Sequence, residues 1–89
     1  MKGGMKMNTV KNAKKLIKDL EKKRHPEYGM TKIKGCQLSS SDVDTAIMIA
    51  EEIVKEGGRY PSTLMPIYNT DIRNLYEKYN LPYQHSTAW

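Results

Sequence analysis

The stretch SSDVDTAIMIAEEIVKE, residues 40–56, decides the fold. Placed at about 100° per residue, Val43, Ala46, Ile47, Ala50, Ile53 and Val54 form one apolar stripe. Ile49 widens that stripe and Met48 points away from it. Ser41, with Asp44 three residues later, has the spacing of a capping box, and Asp42 adds negative charge to the first turn. Gly57 supplies the left-handed position after the last turn, and Gly58 ends the helix. A helix over residues 41–56 is therefore the spine of the domain.

Downstream, RYPSTLMPIY (59–68) carries Pro61 and Pro66, which exclude a regular helix through the whole stretch and leave room for one turn between them. Asn69 then caps a helix over 70–79, with Asp71 in its first turn and Ile72, Leu75, Tyr76 and Tyr79 on its apolar face. Asn80 suits the left-handed position and Pro82 closes the element. Residues 84–89, QHSTAW, read as a polar tail, with Trp89 loosely docked.

Upstream, TKIKGCQL (31–38) has strand character, with Lys32 and Lys34 on one side and Ile33 on the other. Gly35 in its middle weakens that assignment, so a short edge strand is favoured only slightly over an extended connector. Before it, Asn8 or Thr9 caps a helix over 9–23 that ends before His25-Pro26. Val10, Ala13, Leu16, Ile17 and Leu20 share an arc of about 120°. Lys11, Lys14, Lys15, Lys18 and Lys22 fall within about 100° on the opposite side. Residues 1–8 are expected to be disordered, and Met5 or Met7 could equally serve as a start.

These elements make a mainly α, three-helix domain over residues 9–83, with one short β-strand near 31–38. Its expected core is Leu16, Ile17, Leu20, Val43, Ile47, Ala50, Ile53, Val54, Ile72, Leu75 and Tyr76. With 89 residues, 38% of them apolar against roughly 45–50% in typical domains, the chain has a thin stability margin. Self-association is expected to supplement it, with Met48 and Cys36 as candidate interface positions. The same arithmetic excludes a large buried cavity, a cofactor-binding α/β enzyme and a disulfide scaffold. A lone cysteine cannot staple the chain and points to a reducing compartment. There is neither a bilayer-length apolar run nor an apolar signal region, so a cytoplasmic location is expected.

Little in the residues supports catalysis. Cys36, His25 and His85 offer no pair at metal-ligand spacing, and no nucleophile signature surrounds the thiol. Cys36 is expected to be dispensable. Asp42/Asp44 and Glu51/Glu52 read as capping and solvated helix charge, and Gly57-Gly58 follows a helix where a phosphate loop would follow a strand. The expectation is a non-enzyme with no cofactor and no metal. Tyrosine supplies six of the seven aromatic residues. Tyr76 and Tyr79 belong to the core, while Tyr28, Tyr60, Tyr68 and Tyr83 lie in loops, rings packed and hydroxyls wet, or at a partner's surface.

Charge carries the functional expectation. Residues 1–34 hold eleven Lys/Arg against three acids, a balance of +8, whereas residues 35–89 hold four against seven, a balance of −3. Five lysines on one helix face repel one another unless water, salt or a polyanion answers them. The favoured expectation is a small nucleic-acid-binding accessory protein. It would contact phosphates of RNA or DNA through Lys11, Lys14, Lys15, Lys18 and Lys22, flanked by Arg24, Lys32 and Lys34. Scarce arginine argues for backbone-level recognition over base reading.

A second expectation is a phage- or mobile-element-type inhibitor that binds an acidic host protein or a ribonucleoprotein such as a nuclease, toxin or defence complex. A structural subunit is a third. The order TKIKGCQL, helix 41–56, Gly57-Gly58 and a further helix also resembles a ribbon-helix-helix repressor. That resemblance, over about 50 residues, implies a dimer whose paired strands set Lys32 and Lys34 into the major groove. The connector with two prolines is longer than that family's, and the basic helix before the strand has no counterpart there.

Overall fold

The computed structural model describes residues 4–24 and 30–84, with side chains from Asn8 onward. The chain runs α1 (Gly4–Lys23), β1 (Thr31–Ile33), β2 (Cys36–Leu38), α2 (Ser40–Lys55) and α3 (Thr70–Lys78). It is a mainly α domain of three helices with a two-stranded antiparallel sheet.

The helix expected from residue 9 begins at Gly4, so neither Asn8 nor Thr9 caps it. Met5, Lys6 and Met7 are strong helix formers, and nothing from Gly4 to Asn8 stops the helix. Residues 4–8, expected to lie outside the helix, fall within α1; residues 1–3 lie outside the described residues. Ala13, Leu16 and Leu20 are fully buried against α2, with Ile17 partly buried beside them.

The expected single strand is a hairpin. Thr31 pairs with Leu38, Lys32 with Gln37 and Ile33 with Cys36. Lys34 (φ 47°) and Gly35 (φ 80°) form the two-residue turn between them. Positive φ at both central positions is what a tight hairpin turn of the right twist demands, so Gly35 enables the sheet. Thr31, Ile33, Cys36 and Leu38 face the core, while Lys32 and Gln37 face out. Cys36 is 5% exposed, so it cannot serve as the surface interface position expected of it.

The cap of α2 is Ser39, two residues before the expected one. Its Oγ accepts from the Asp42 amide at 3.2 Å, and its carbonyl accepts from the Val43 amide at 2.9 Å. Ser39 and Asp42 have the same three-residue spacing as Ser41 and Asp44, and β2 ends at Leu38, so the chain first becomes free to turn at Ser39. At the other end the Gly57 amide donates to Val54 and the Gly58 amide to Ile53, closing the helix in a Schellman motif. α3 starts and stops as the sequence indicates. Asn69 Oδ1 accepts from the Ile72 amide at 3.1 Å. Asn80 takes φ 55° while its amide and that of Leu81 donate to Glu77 and Tyr76.

The core joins all five elements. Val43, Ala46, Ala50, Ile53, Leu75 and Tyr76 are fully buried, and the Tyr76 hydroxyl donates to the Ala46 carbonyl at 2.6 Å, tying α3 to α2. Val54 is only partly buried. The core also takes in Ile49 and Tyr79, as their helix faces indicate, and Ile33, Leu38, Tyr60, Ile67 and Leu81, which the sequence reading did not place there. No helix among the described residues is long and apolar enough to cross a membrane.

Candidate nucleic-acid interface

α1 buries one face and leaves the other to solvent, which fixes where its lysines point. Lys11, Lys14, Lys15, Lys18 and Lys22 are all exposed, on the side away from Ala13, Leu16 and Leu20. From Lys11 to Lys22 the row is about 16 Å long at 1.5 Å rise per residue. Lys15 lies 3.6 Å from the Asp19 carboxylate. Among the described residues, Lys11, Lys14, Lys18 and Lys22 form no ion pair.

Asp19 is the acid at the edge of this row, and its charge is occupied. The Tyr79 hydroxyl donates to Asp19 Oδ2 at 2.6 Å, across a separation of 60 residues. That hydrogen bond, helped by Lys15 and Lys34, holds the Asp19 carboxyl below its ordinary value, against a burial effect that raises it. The Tyr79 phenol is pushed far above the usual tyrosine range by burial first and by Asp19 second.

The hairpin turn completes the arrangement. Lys34 Nζ stands 5.2 Å from the centre of the Tyr79 ring, close enough for a cation–π contact. Lys34 is thereby held near enough to Asp19 to act on its carboxyl, and Lys32 is exposed on the strand that packs next to α1. Arg24 departs from the group: its guanidinium pairs with Asp44 in the first turns of α2. The structure thus brings seven of the eight expected residues onto α1 and the adjoining hairpin, and commits the eighth to an intramolecular pair.

The tyrosines divide differently from expectation. Tyr60 is buried with its hydroxyl donated to the Met65 carbonyl at 2.5 Å, so that group is not wet. Tyr83 is half-buried, its hydroxyl donating to Glu77 at 2.9 Å and its ring 4.9 Å from the Arg73 guanidinium. Tyr68 is 70% exposed on the loop before α3. Tyr28, His25, His85 and Trp89 lie outside the described residues.

Beside the hairpin turn, Gly35, Cys36, Asn74, Glu77 and Lys78 line an open cleft of about 430 Å³. Burial pushes the Cys36 thiol up, which makes it a poor nucleophile at neutral pH. Among the described residues no three His, Cys, Asp or Glu side chains converge as a metal site would require.

The Lys15–Asp19 pair is legible from its i,i+4 spacing. The Tyr79 partnership, which links that pair to the hairpin, carries no local signal. No protein-family model, curated protein or solved structure matches the chain.

Proposed function

We propose that this protein binds nucleic acid by neutralising phosphates along the exposed face of α1, without reading base sequence. The observation that carries the proposal is the row Lys11, Lys14, Lys18 and Lys22, exposed on a helix packed by its opposite face and unmatched by acids among the described residues. Like charges at helical spacing cost stability, so a polyanion would relieve them on binding. Lysines act here as point charges, and the described face lacks a free arginine fork for bidentate base contacts. The role is that of an accessory or regulatory binder and not of an enzyme. Fluorescence anisotropy with labelled DNA and RNA at about 50 and 200 mM salt tests this, because counterion release makes such binding fall steeply with salt. Binding that is absent at the lower salt rejects the proposal.

A further inference from the structure

The five lysines of α1 are not equally free, and the acid that sets one of them apart is fixed from outside the helix. At about 100° per residue, Lys14, Lys18, Lys11 and Lys22 span about 80° in that order, Lys15 follows, and Asp19 lies about 40° beyond Lys15. An exposed ion pair at this spacing is ordinarily a loose contact, because both side chains move through water. Here the acid is pinned. The hydroxyl of Tyr79, a residue 5% exposed at the end of α3, donates to Asp19 Oδ2 at 2.6 Å, and Lys15 Nζ lies 3.6 Å from that same oxygen. The phenol holds the carboxylate in one place, and the carboxylate holds the ammonium.

A phosphate oxygen bonded to Lys15 would sit about 2.8 Å from its ammonium, hence no more than about 6.4 Å from Asp19 Oδ2. That is inside the screening length of about 8 Å at physiological salt, so the phosphate would meet a fixed negative charge together with the positive one. Lys11, Lys14, Lys18 and Lys22 form no ion pair among the described residues. Glu21, about 20° beyond Lys14 on the opposite flank, is exposed and also forms none among them, so it withholds no lysine. We infer that Asp19 is a specificity-determining residue of the phosphate-binding face: it withholds Lys15 from the ligand and leaves Lys11, Lys14, Lys18 and Lys22 as the contacts made by α1. Tyr79 acts as its positioning residue. This rests on the phosphate-binding role proposed above and fixes which lysines of the helix carry it.

The test is the salt dependence of binding to a labelled 20-base-pair DNA duplex by the full chain and by Lys15→Gln, Asp19→Asn, Asp19→Asn/Lys15→Gln and Glu21→Gln variants. Asn keeps an oxygen to accept from Tyr79, and a thermal melt near the parent's verifies each fold. Lys15→Gln should leave the slope of log K against log salt within about 0.3 of the parent's, because no phosphate contact is lost. Asp19→Asn should steepen the slope by about 0.9 as Lys15 takes up a phosphate, and adding Lys15→Gln should return it to the parent's value. Glu21→Gln removes the same charge from the same helix and should leave the slope unchanged. A slope that flattens by about 0.9 in Lys15→Gln alone would show Lys15 already on a phosphate and overturn the inference, while leaving the phosphate-binding face standing. An unchanged slope in Asp19→Asn, or one equally steep in Glu21→Gln, would overturn it in the same way. No binding by the parent at about 50 mM salt would reject the proposed function itself, and this inference with it.

Discussion

Replacing Tyr79 by Phe keeps the ring under Lys34 and deletes only the hydroxyl that reaches Asp19. A hydrogen bond to a charged acceptor contributes about 1.5–3 kcal/mol when its partners are withdrawn from water. The Asp19 side chain is 27% exposed and keeps Lys15 at 3.6 Å, so the freed carboxylate recovers part of that through water. The expected cost is about 1 kcal/mol at neutral pH, or roughly 4–8 °C in Tm for a domain of this size. The loss should depend on pH in a definite direction. The folded-state pKa of Asp19 is depressed, so its contribution is present above the ordinary value of 3.8 and lost as pH falls through the lowered one. Urea melts of both proteins at pH 7 and near pH 2.5 therefore give a difference that shrinks on acidification, towards the smaller worth of a neutral hydrogen bond. A difference below about 0.3 kcal/mol at pH 7, or one equal at both pH values, refutes the lock between α1 and α3.

Ser39→Ala should cost about 1 kcal/mol by removing the cap of α2, whereas Ser41→Ala should cost close to nothing; equal effects in denaturant melts would contradict the placement of the cap. Gly35→Ala should cost about 1–2 kcal/mol through its φ of 80° alone, because an added Cβ meets nothing within 4 Å; an unchanged melt would contradict the turn geometry. Cys36→Ser, expected from the sequence to be silent, should cost about 1 kcal/mol because it places a hydroxyl in the core. The native thiol, its pKa raised by burial, should react slowly with disulfide reagents at neutral pH, and rapid labelling there would contradict its burial.

What is legible in the sequence is what short-range chemistry fixes. The 3.6-residue period separates the lysines of α1 from Ala13, Leu16 and Leu20, and Gly57, Asn69 and Asn80 mark helix ends through conformations that few residues adopt. The hairpin is hidden because its turn puts Lys34, a residue seldom found at positive φ, beside Gly35, and a glycine inside a short apolar run reads as a defect. With the hairpin go Ile33, Cys36 and Leu38, whose burial depends on the fold-back. The three consecutive serines Ser39, Ser40 and Ser41 are equally competent caps, and only the end of β2 selects Ser39. The Tyr79–Asp19 bond and the Arg24–Asp44 pair join residues 60 and 20 positions apart, and no local pattern encodes either.

The central claim is that the lysines of α1 act on a polyanion through charge. Its most direct test is the salt dependence of nucleic-acid binding by the parent and by a Lys14→Gln/Lys15→Gln/Lys18→Gln variant. Gln has nearly the helix propensity of Lys and the buried face is untouched, so the variant should melt at or slightly above the parent's temperature. Its affinity should fall, and the slope of log K against log salt should flatten by about 0.9 for each phosphate no longer neutralised, roughly two to three units in all. A folded variant that binds with the parent's affinity and the parent's slope would show that the basic face is only a solvated surface.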